Sequence, residues 1–278
     1  MALESAVREA LADFSGSVGV WGRNLATGQD LAIDPDLVFE TASSIKVLIM
    51  VAAFELVRRG RARLRETLVY EQGQFVRGSG VLREMSPGTK LTLRDAIVLM
   101  ITISDNVATN MVIDRVGGVE AVNAQGRRLG LETTRLLGRL DFDSGANDQG
   151  VGRTTPREIG SLYEKLYRGQ CIGPDEDRAM VDILLRQQYN TMLTRYLPYY
   201  LMEGDQEQPV LRIASKSGTW TGSRCDGGIF FGPHCDYILC VYSGGCRDLR
   251  LHVDNEALVR LPHISRVVWE AWGSGPGE

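Results

Sequence analysis

The chain is poor in the residues that many enzymes use to build their sites. Its 278 residues include three histidines, His234, His252 and His263, in no metal-like spacing. A histidine-based triad and a zinc centre are therefore not expected. The five cysteines, Cys171, Cys225, Cys235, Cys240 and Cys246, are odd in number, crowd the later part of the chain and form no Cys-x-x-Cys pair. That set makes a poor disulfide framework, so thiols, several in the core, are expected. No cofactor or metal is expected. Long apolar runs are missing too. The longest, Val47 to Phe54, falls far short of the ~20 residues a bilayer requires, so no membrane partner is expected. At the N-terminus, Glu4, Arg8, Glu9 and Asp13 interrupt any leader-like run. Leu3, Val7, Ala10, Leu11 and Phe14 share one helical face and read as a surface helix. The expectation is a cytoplasmic chain as it stands, or an exported one if a leader has been removed. A net charge of −4 argues against nucleic acid as the main partner, since phosphate neutralisation needs clustered cations. The densest basic run, Arg58 to Arg63, reads as a solvated helix end.

What is present is an ordinary globular composition, 44% hydrophobic and 24% charged, long enough for one large domain or two intimate ones. Strand-like runs at Ser17 to Leu25 and Asp30 to Ile33 flank a Gly28 turn. Ile45 to Arg59 is apolar nearly all round and predicts a buried helix stopping at Gly60. Helices are expected over Leu93 to Ile103, Ala108 to Val116, on to Gly130, and from Thr155-Pro156 to about Gly169. Leu131 to Arg153 has little periodicity, and unstructured loops longer than about 12–15 residues are usually functional. Strand character returns at Arg212 to Lys216, Gly227 to Phe231 and Tyr237 to Tyr242, followed by a helix at about Ile264 to Trp272. Strands from both chain ends around a helical middle predict an α+β fold of α/β sandwich type. An antiparallel sheet with terminal helices (1–42 and 206–278) would carry an inserted all-helical domain (43–205). The loop at about 131–153 belongs to that insertion, and the site is expected between the two parts. Oligomeric state is left open.

Three short segments carry the chemistry: Ser43-Ser44-Ile45-Lys46, Ser104-Asp105-Asn106 and Lys216-Ser217-Gly218-Thr219. Singly, each has an ordinary reading as a helix cap beside a lysine, a capping turn, or a strand end. A serine followed three places later by a lysine arises roughly once by chance in a chain of this size. Together they supply a nucleophilic hydroxyl, an adjacent amine, a second hydroxyl and a second cation, the equipment for acyl transfer through a serine ester. Ser43 and Lys46 share one face at a helix start, whose free N–H groups suit an oxyanion. A desolvated Lys46 is expected to have a lowered pKa and to take the serine proton. Ser104 would relay a proton to the leaving nitrogen, and the Asn106 amide would hold the substrate carbonyl. Gly218 lets an edge strand approach an amide substrate, with the Thr219 N–H as second oxyanion donor beside that of Ser43. Lys216 and Ser217 would bind a carboxylate. The expected partner is a small carboxylate-bearing amide or ester.

These motifs resemble those of the penicillin-recognising serine enzymes, most closely the class A β-lactamases. The resemblance runs from about Ser17 to Trp272. It includes Leu91-Thr92-Leu93, Leu99-Met100-Ile101, Ala108-Thr109-Asn110 and Thr154-Thr155-Pro156. Gly222-Ser223-Arg224 is similar to a segment whose arginine meets the substrate carboxylate. The resemblance implies Ser43 as nucleophile, Lys46 as base or orienter, Ser104 as relay, and Lys216 with Arg224 as the anion site. The family also places a water-activating glutamate in its omega loop, commonly in Glu-x-Glu-Leu-Asn. In Leu131 to Arg153 the only glutamate, Glu132, stands too early. Asp143 with Asn147 reproduces the Glu-to-Asn spacing with a shorter acid, about three residues late. Acylation is thus fully equipped and deacylation is expected to be slow. An esterase, peptidase or amidase, and a binding module that stays acylated, remain as alternatives.

Overall fold

The computed structural model describes residues 2–145, 147–202 and 210–274. In chain order its elements are α1 (Ala2–Ala10), β1 (Ser17–Asn24), β2 (Asp30–Ile33), β3 (Phe39–Glu40), α2 (Lys46–Arg58), β4 (Thr67–Val69), β5 (Lys90–Thr92), α3 (Leu93–Thr102), α4 (Asn106–Val116), α5 (Val119–Arg128), β6 (Arg135–Leu136), β7 (Gly152–Thr154), α6 (Pro156–Tyr167) and α7 (Pro174–Leu184). They continue with β8 (Arg212–Ser215), β9 (Gly218–Trp220), β10 (Ser223–Phe231), β11 (Asp236–Gly244), α8 (Glu256–Arg260) and α9 (Pro262–Val268). This is the α+β architecture expected: helices with an antiparallel sheet. Among the described residues, no helix is long and apolar enough to cross a membrane.

The chain divides into two units. The first comprises residues 1–39, 155–164 and 189–278 and contains a six-stranded sheet in the order β2-β1-β11-β10-β8, with β9 also paired to β10. β1 and β11 are antiparallel, with Val20 opposite Val241 and Gly22 opposite Leu239. Alternation along these strands sends Val18, Val20, Leu239 and Val241 into a core shared with Val7 of α1 and with Ile264 and Val268 of α9. Trp21 points the other way, onto the start of α6. A Cβ on Gly160 there would lie 2.1 Å from the indole, so only glycine lets helix and ring meet. The expected division gave 155–164 and 189–205 to the helical part. The Trp21 contact groups the first of these with the sheet, and the burial of Met192, Leu193 and Leu197 in the sheet core groups the second. The boundary expected at 206 lies outside the described residues.

The second unit comprises residues 40–154 and 165–188. Its centre is α2, where every side chain from Lys46 to Phe54 is buried. α3 starts at a capping box in which Thr92 and Asp95 satisfy each other's backbone N–H groups. α4 is capped by Asp105, whose Oδ1 accepts the Ala108 N–H at 2.9 Å, and ends at Gly117 in the left-handed conformation, φ 102°. This unit is not purely helical: β4 pairs with β5 and β6 with β7.

Candidate active site

Ser43 sits in a single 3₁₀ turn, Ala42–Ile45, directly before α2. With three residues per turn, positions 43 and 46 line up, and the Lys46 N–H donates to the Ser43 carbonyl. Ser43 is half-buried, whereas Lys46 is wholly enclosed. Such an ammonium group needs acceptors, and the turn before α4 supplies them. Lys46 Nζ donates to Ser104 O at 2.8 Å, to Ser104 Oγ at 3.1 Å and to Asn106 Oδ1 at 2.8 Å. Ser104 adopts φ 57°, a left-handed conformation unusual for a serine, which brings its carbonyl and hydroxyl to one amine.

A strap over residues 77–82 clamps this turn. The Ser79 hydroxyl donates to Ser104 O at 2.7 Å, Asn106 Nδ2 donates to Arg77 O at 2.9 Å, and Asp105 Oδ2 accepts the Val81 and Leu82 N–H groups at 2.7 and 2.9 Å. The fit depends on Gly80, at φ +106°, since a Cβ there would lie 2.3 Å from the Asp105 carboxylate.

The loop 137–151 closes on itself, the Leu137 N–H donating to Val151 O at 2.9 Å. Asn110, one turn beyond Asn106 on α4, accepts the Leu140 N–H at 3.0 Å and donates to Leu140 O at 2.9 Å. The Asn147 side chain is buried inside the loop, accepting the Asp141 N–H at 2.6 Å and donating to Arg139 O at 3.2 Å. Asp143 is half-exposed and pairs with Arg77 at 3.2 Å. Of the two loop residues singled out in the sequence, one organises the loop and the other faces solvent. Asn110 appears in the sequence only within a run similar to the family's, and its grip on Leu140 emerges from the fold.

In the sheet unit, β8 and β9 run against β10 on either side of Lys216-Ser217, with Ser215 opposite Gly228 and Gly218 opposite Cys225. Lys216 is buried, and Nζ donates to Ser217 O at 2.8 Å. Burial pushes its pKa down to about 8, with buried Asp226 opposing that fall. Burial pushes Asp226 up to about 7, although it accepts the Leu193 and Gly227 N–H groups at 3.3 and 2.9 Å. Ser217 is half-buried and Thr219 exposed at the end of this edge. Arg224 is buried: Nη1 donates to Trp220 O at 2.7 Å and Ser223 O at 2.8 Å, and Nη2 to Arg250 O at 3.0 Å. Its guanidinium thus holds two chain segments, and its buried Nε has no hydrogen-bond partner among the described residues. Cys225, beside it, is enclosed in the sheet.

A buried amine thus lies one turn after a serine and bonds a second serine in a Ser-Asp-Asn turn. The model of the beta-lactamase enzyme family matches residues 2–272, and the chain belongs to that family. It is similar to a beta-lactamase of Sphaerobacter thermophilus, with 29% identity, TM-score 0.85, and 99% of this chain and 98% of that one covered. It is also similar to PBP-A, a mutant of which is known as an acyl-enzyme complex with penicillin G. There the identity is 29%, the TM-score 0.83, and the coverage 97% of this chain and 96% of that one. A curated beta-lactamase of Streptomyces cellulosae is 29% identical over 64% of this chain, a match spanning 58% of that protein.

Proposed function

We propose that the chain is an active-site serine hydrolase that opens a β-lactam amide through an acyl-Ser43 intermediate. The observation that carries this reading is the enclosure of Lys46 Nζ between Ser104 and Asn106, one turn from Ser43. Of the groups named around that amine, the Ser104 O and Asn106 Oδ1 oxygens only accept, whereas the Ser104 hydroxyl both accepts and donates. The Ser104 hydroxyl can therefore hand a proton to a neutral Lys46 or receive one from its charged form. In the proposed sequence, Ser43 Oγ attacks the substrate carbonyl carbon as Lys46 takes its proton. The C–N bond breaks, and Ser104 passes a proton to the leaving nitrogen as Lys46 resupplies it. The Ser43 and Thr219 N–H groups would receive the developing oxyanion, and Asn106 the substrate amide. Gly218 would leave room for the ligand backbone. Lys216 and Ser217 would take the carboxylate, with Arg224 stiffening that edge from behind through its carbonyl contacts.

Water must then cleave the ester. Asp143 paired with Arg77, and Asn147 committed to the loop, support a slow second step. The acyl-enzyme complex with penicillin G of a mutant of the similar PBP-A supports the first step, acylation. A protein that acylates quickly and clears slowly, closer to an acylatable penicillin-binding module than to a fast hydrolase, is the second reading this loop favours. Benzylpenicillin followed by intact-protein mass separates the two. An adduct that builds within seconds and decays over hours supports slow clearance, and turnover without accumulated adduct supports the fast hydrolase. Absence of both refutes acyl transfer.

A further inference from the structure

The glutamate closest in sequence to the nucleophile is Glu40, three residues ahead of Ser43. Its half-buried carboxylate is divided between two segments. Oε2 accepts the Ala42 N–H at 2.5 Å, at the turn that carries Ser43. Oε1 accepts the Val151 N–H at 2.7 Å and the Gly152 N–H at 3.4 Å, at the end of the 137–151 loop. A backbone bond from Thr41 N–H to Gly152 O, 3.2 Å, runs beside it.

Two features show what this carboxylate holds. Ala42 adopts φ 42°, a left-handed conformation unfavourable to an alanine and maintained only where its surroundings enforce it. On the other side, a Cβ on Gly150 would lie 2.4 Å from Glu40 Cγ and 2.9 Å from Oε1, so the loop backbone rests directly on this side chain. Burial raises the Glu40 pKa while the Val151 and Ala42 N–H groups and the Arg153 charge oppose it, as befits an enclosed acceptor of backbone bonds.

We infer that Glu40 is a positioning residue for acyl transfer: its carboxylate ties the Ala42–Ser43 turn to the end of the loop, so that strain in the loop is felt at the nucleophile. The inference rests on the reading of Ser43 as nucleophile. Only a carboxylate presents acceptors on both oxygens. A glutamine must turn its NH₂ toward either Ala42 N–H or Val151 N–H and so lose one tie.

The test uses the full chain as wild type, Glu40→Gln, Glu40→Ala, Gly150→Ala and the double variant Glu40→Ala with Gly150→Ala. Two quantities are read: amide exchange at Ala42 and Val151 without ligand, and the rate of acylation by benzylpenicillin. Glu40→Gln is expected to speed exchange at one or both amides and to slow acylation about tenfold or more, since ~1 Å of misplacement costs about 100-fold. Gly150→Ala is expected to change Ala42 exchange only while the side chain at 40 spans the two segments, so the double variant behaves like Glu40→Ala alone, which lacks the Cγ that a Cβ at 150 would meet. Additive effects, or Ala42 exchange indifferent to Gly150→Ala, overturn the inference. Should benzylpenicillin leave wild type unmodified, the nucleophile reading fails, and exchange still decides whether Glu40 ties the two segments. Should Glu40→Gln fail to fold, the single Gly150→Ala variant decides through Ala42 exchange.

Discussion

Asn110 holds both backbone polar groups of Leu140, accepting its N–H at 3.0 Å and donating to its carbonyl at 2.9 Å. Because Asn110 lies one turn beyond Asn106, which bonds Lys46 Nζ at 2.8 Å, this grip fixes the loop backbone to the helix that carries the lysine's partner. The position so fixed is an apolar one, Leu140, 3% exposed. Asn110→Ala leaves both Leu140 groups without that partner, so amide exchange at Leu140 should speed and stability should fall by about 1–3 kcal/mol. Hydrogen exchange checks the first effect, and a denaturant titration the second. Unchanged Leu140 exchange in a folded variant would mean that Asn110 does not hold the loop.

Asp143 should be dispensable. Its partner is Arg77, and an exposed pair contributes about 0–1 kcal/mol. Asp143→Asn is expected to leave both acylation and adduct lifetime within about twofold of wild type. A much longer-lived adduct would show that this aspartate activates the water after all.

Ser104→Ala should separate folding from chemistry. The Lys46 bonds to Ser104 O and Asn106 Oδ1 remain, and so does the Ser79 bond to Ser104 O. Only the group that both accepts and donates is lost. Acylation should fall about 100-fold or more with little change in melting temperature. Near-normal acylation in this variant would move the proton path elsewhere.

Lys216 and Asp226 predict a pH effect. Burial sets Lys216 at about 8 and Asp226 at about 7, and the Asp226 charge is what raises the lysine against its burial. Asp226→Asn removes that charge, so Lys216 should lose its proton at lower pH. The alkaline limb of the acylation profile should then move toward neutrality. A limb that stays in place would show that Asp226 does not support the lysine.

The strap over the Ser-Asp-Asn turn predicts a steric failure. Gly80→Ala places a Cβ 2.3 Å from the Asp105 carboxylate at a φ of +106°. Left-handed strain of about 1–2 kcal/mol and overpacking of about 1–3 kcal/mol should lower stability accordingly, as a denaturant titration would read. A loss below about half a kcal/mol would mean that the strap is loosely held.

Much of this was legible in the sequence where the physics is local. β2, Asp30–Ile33, falls on its expected residues, because apolar alternation and a glycine turn are short-range signals. The buried helix after Ser43 follows from an apolar surface on all sides, and Thr92 and Asp105 are caps by residue type. What stayed hidden depends on long-range geometry. Nothing in the spacing of Asp143 and Asn147 reveals that one meets Arg77 while the other folds inward. The left-handed Ser104, the strap through Gly80 and the Glu40 tie each join residues more than twenty places apart. α7 at Pro174–Leu184 was not anticipated, although its Pro174 start and acidic first turn are ordinary helix signals.

An ester at Ser43 is the central step of the proposed reaction. Intact-protein mass spectrometry over time with excess benzylpenicillin, on wild type and Ser43→Ala, measures it directly. Wild type is expected to gain one penicilloyl adduct, mapped to Ser43, which outlives the removal of free penicillin, while Ser43→Ala gains none. An unmodified wild type that leaves penicillin intact, or an adduct that persists in Ser43→Ala, would contradict it.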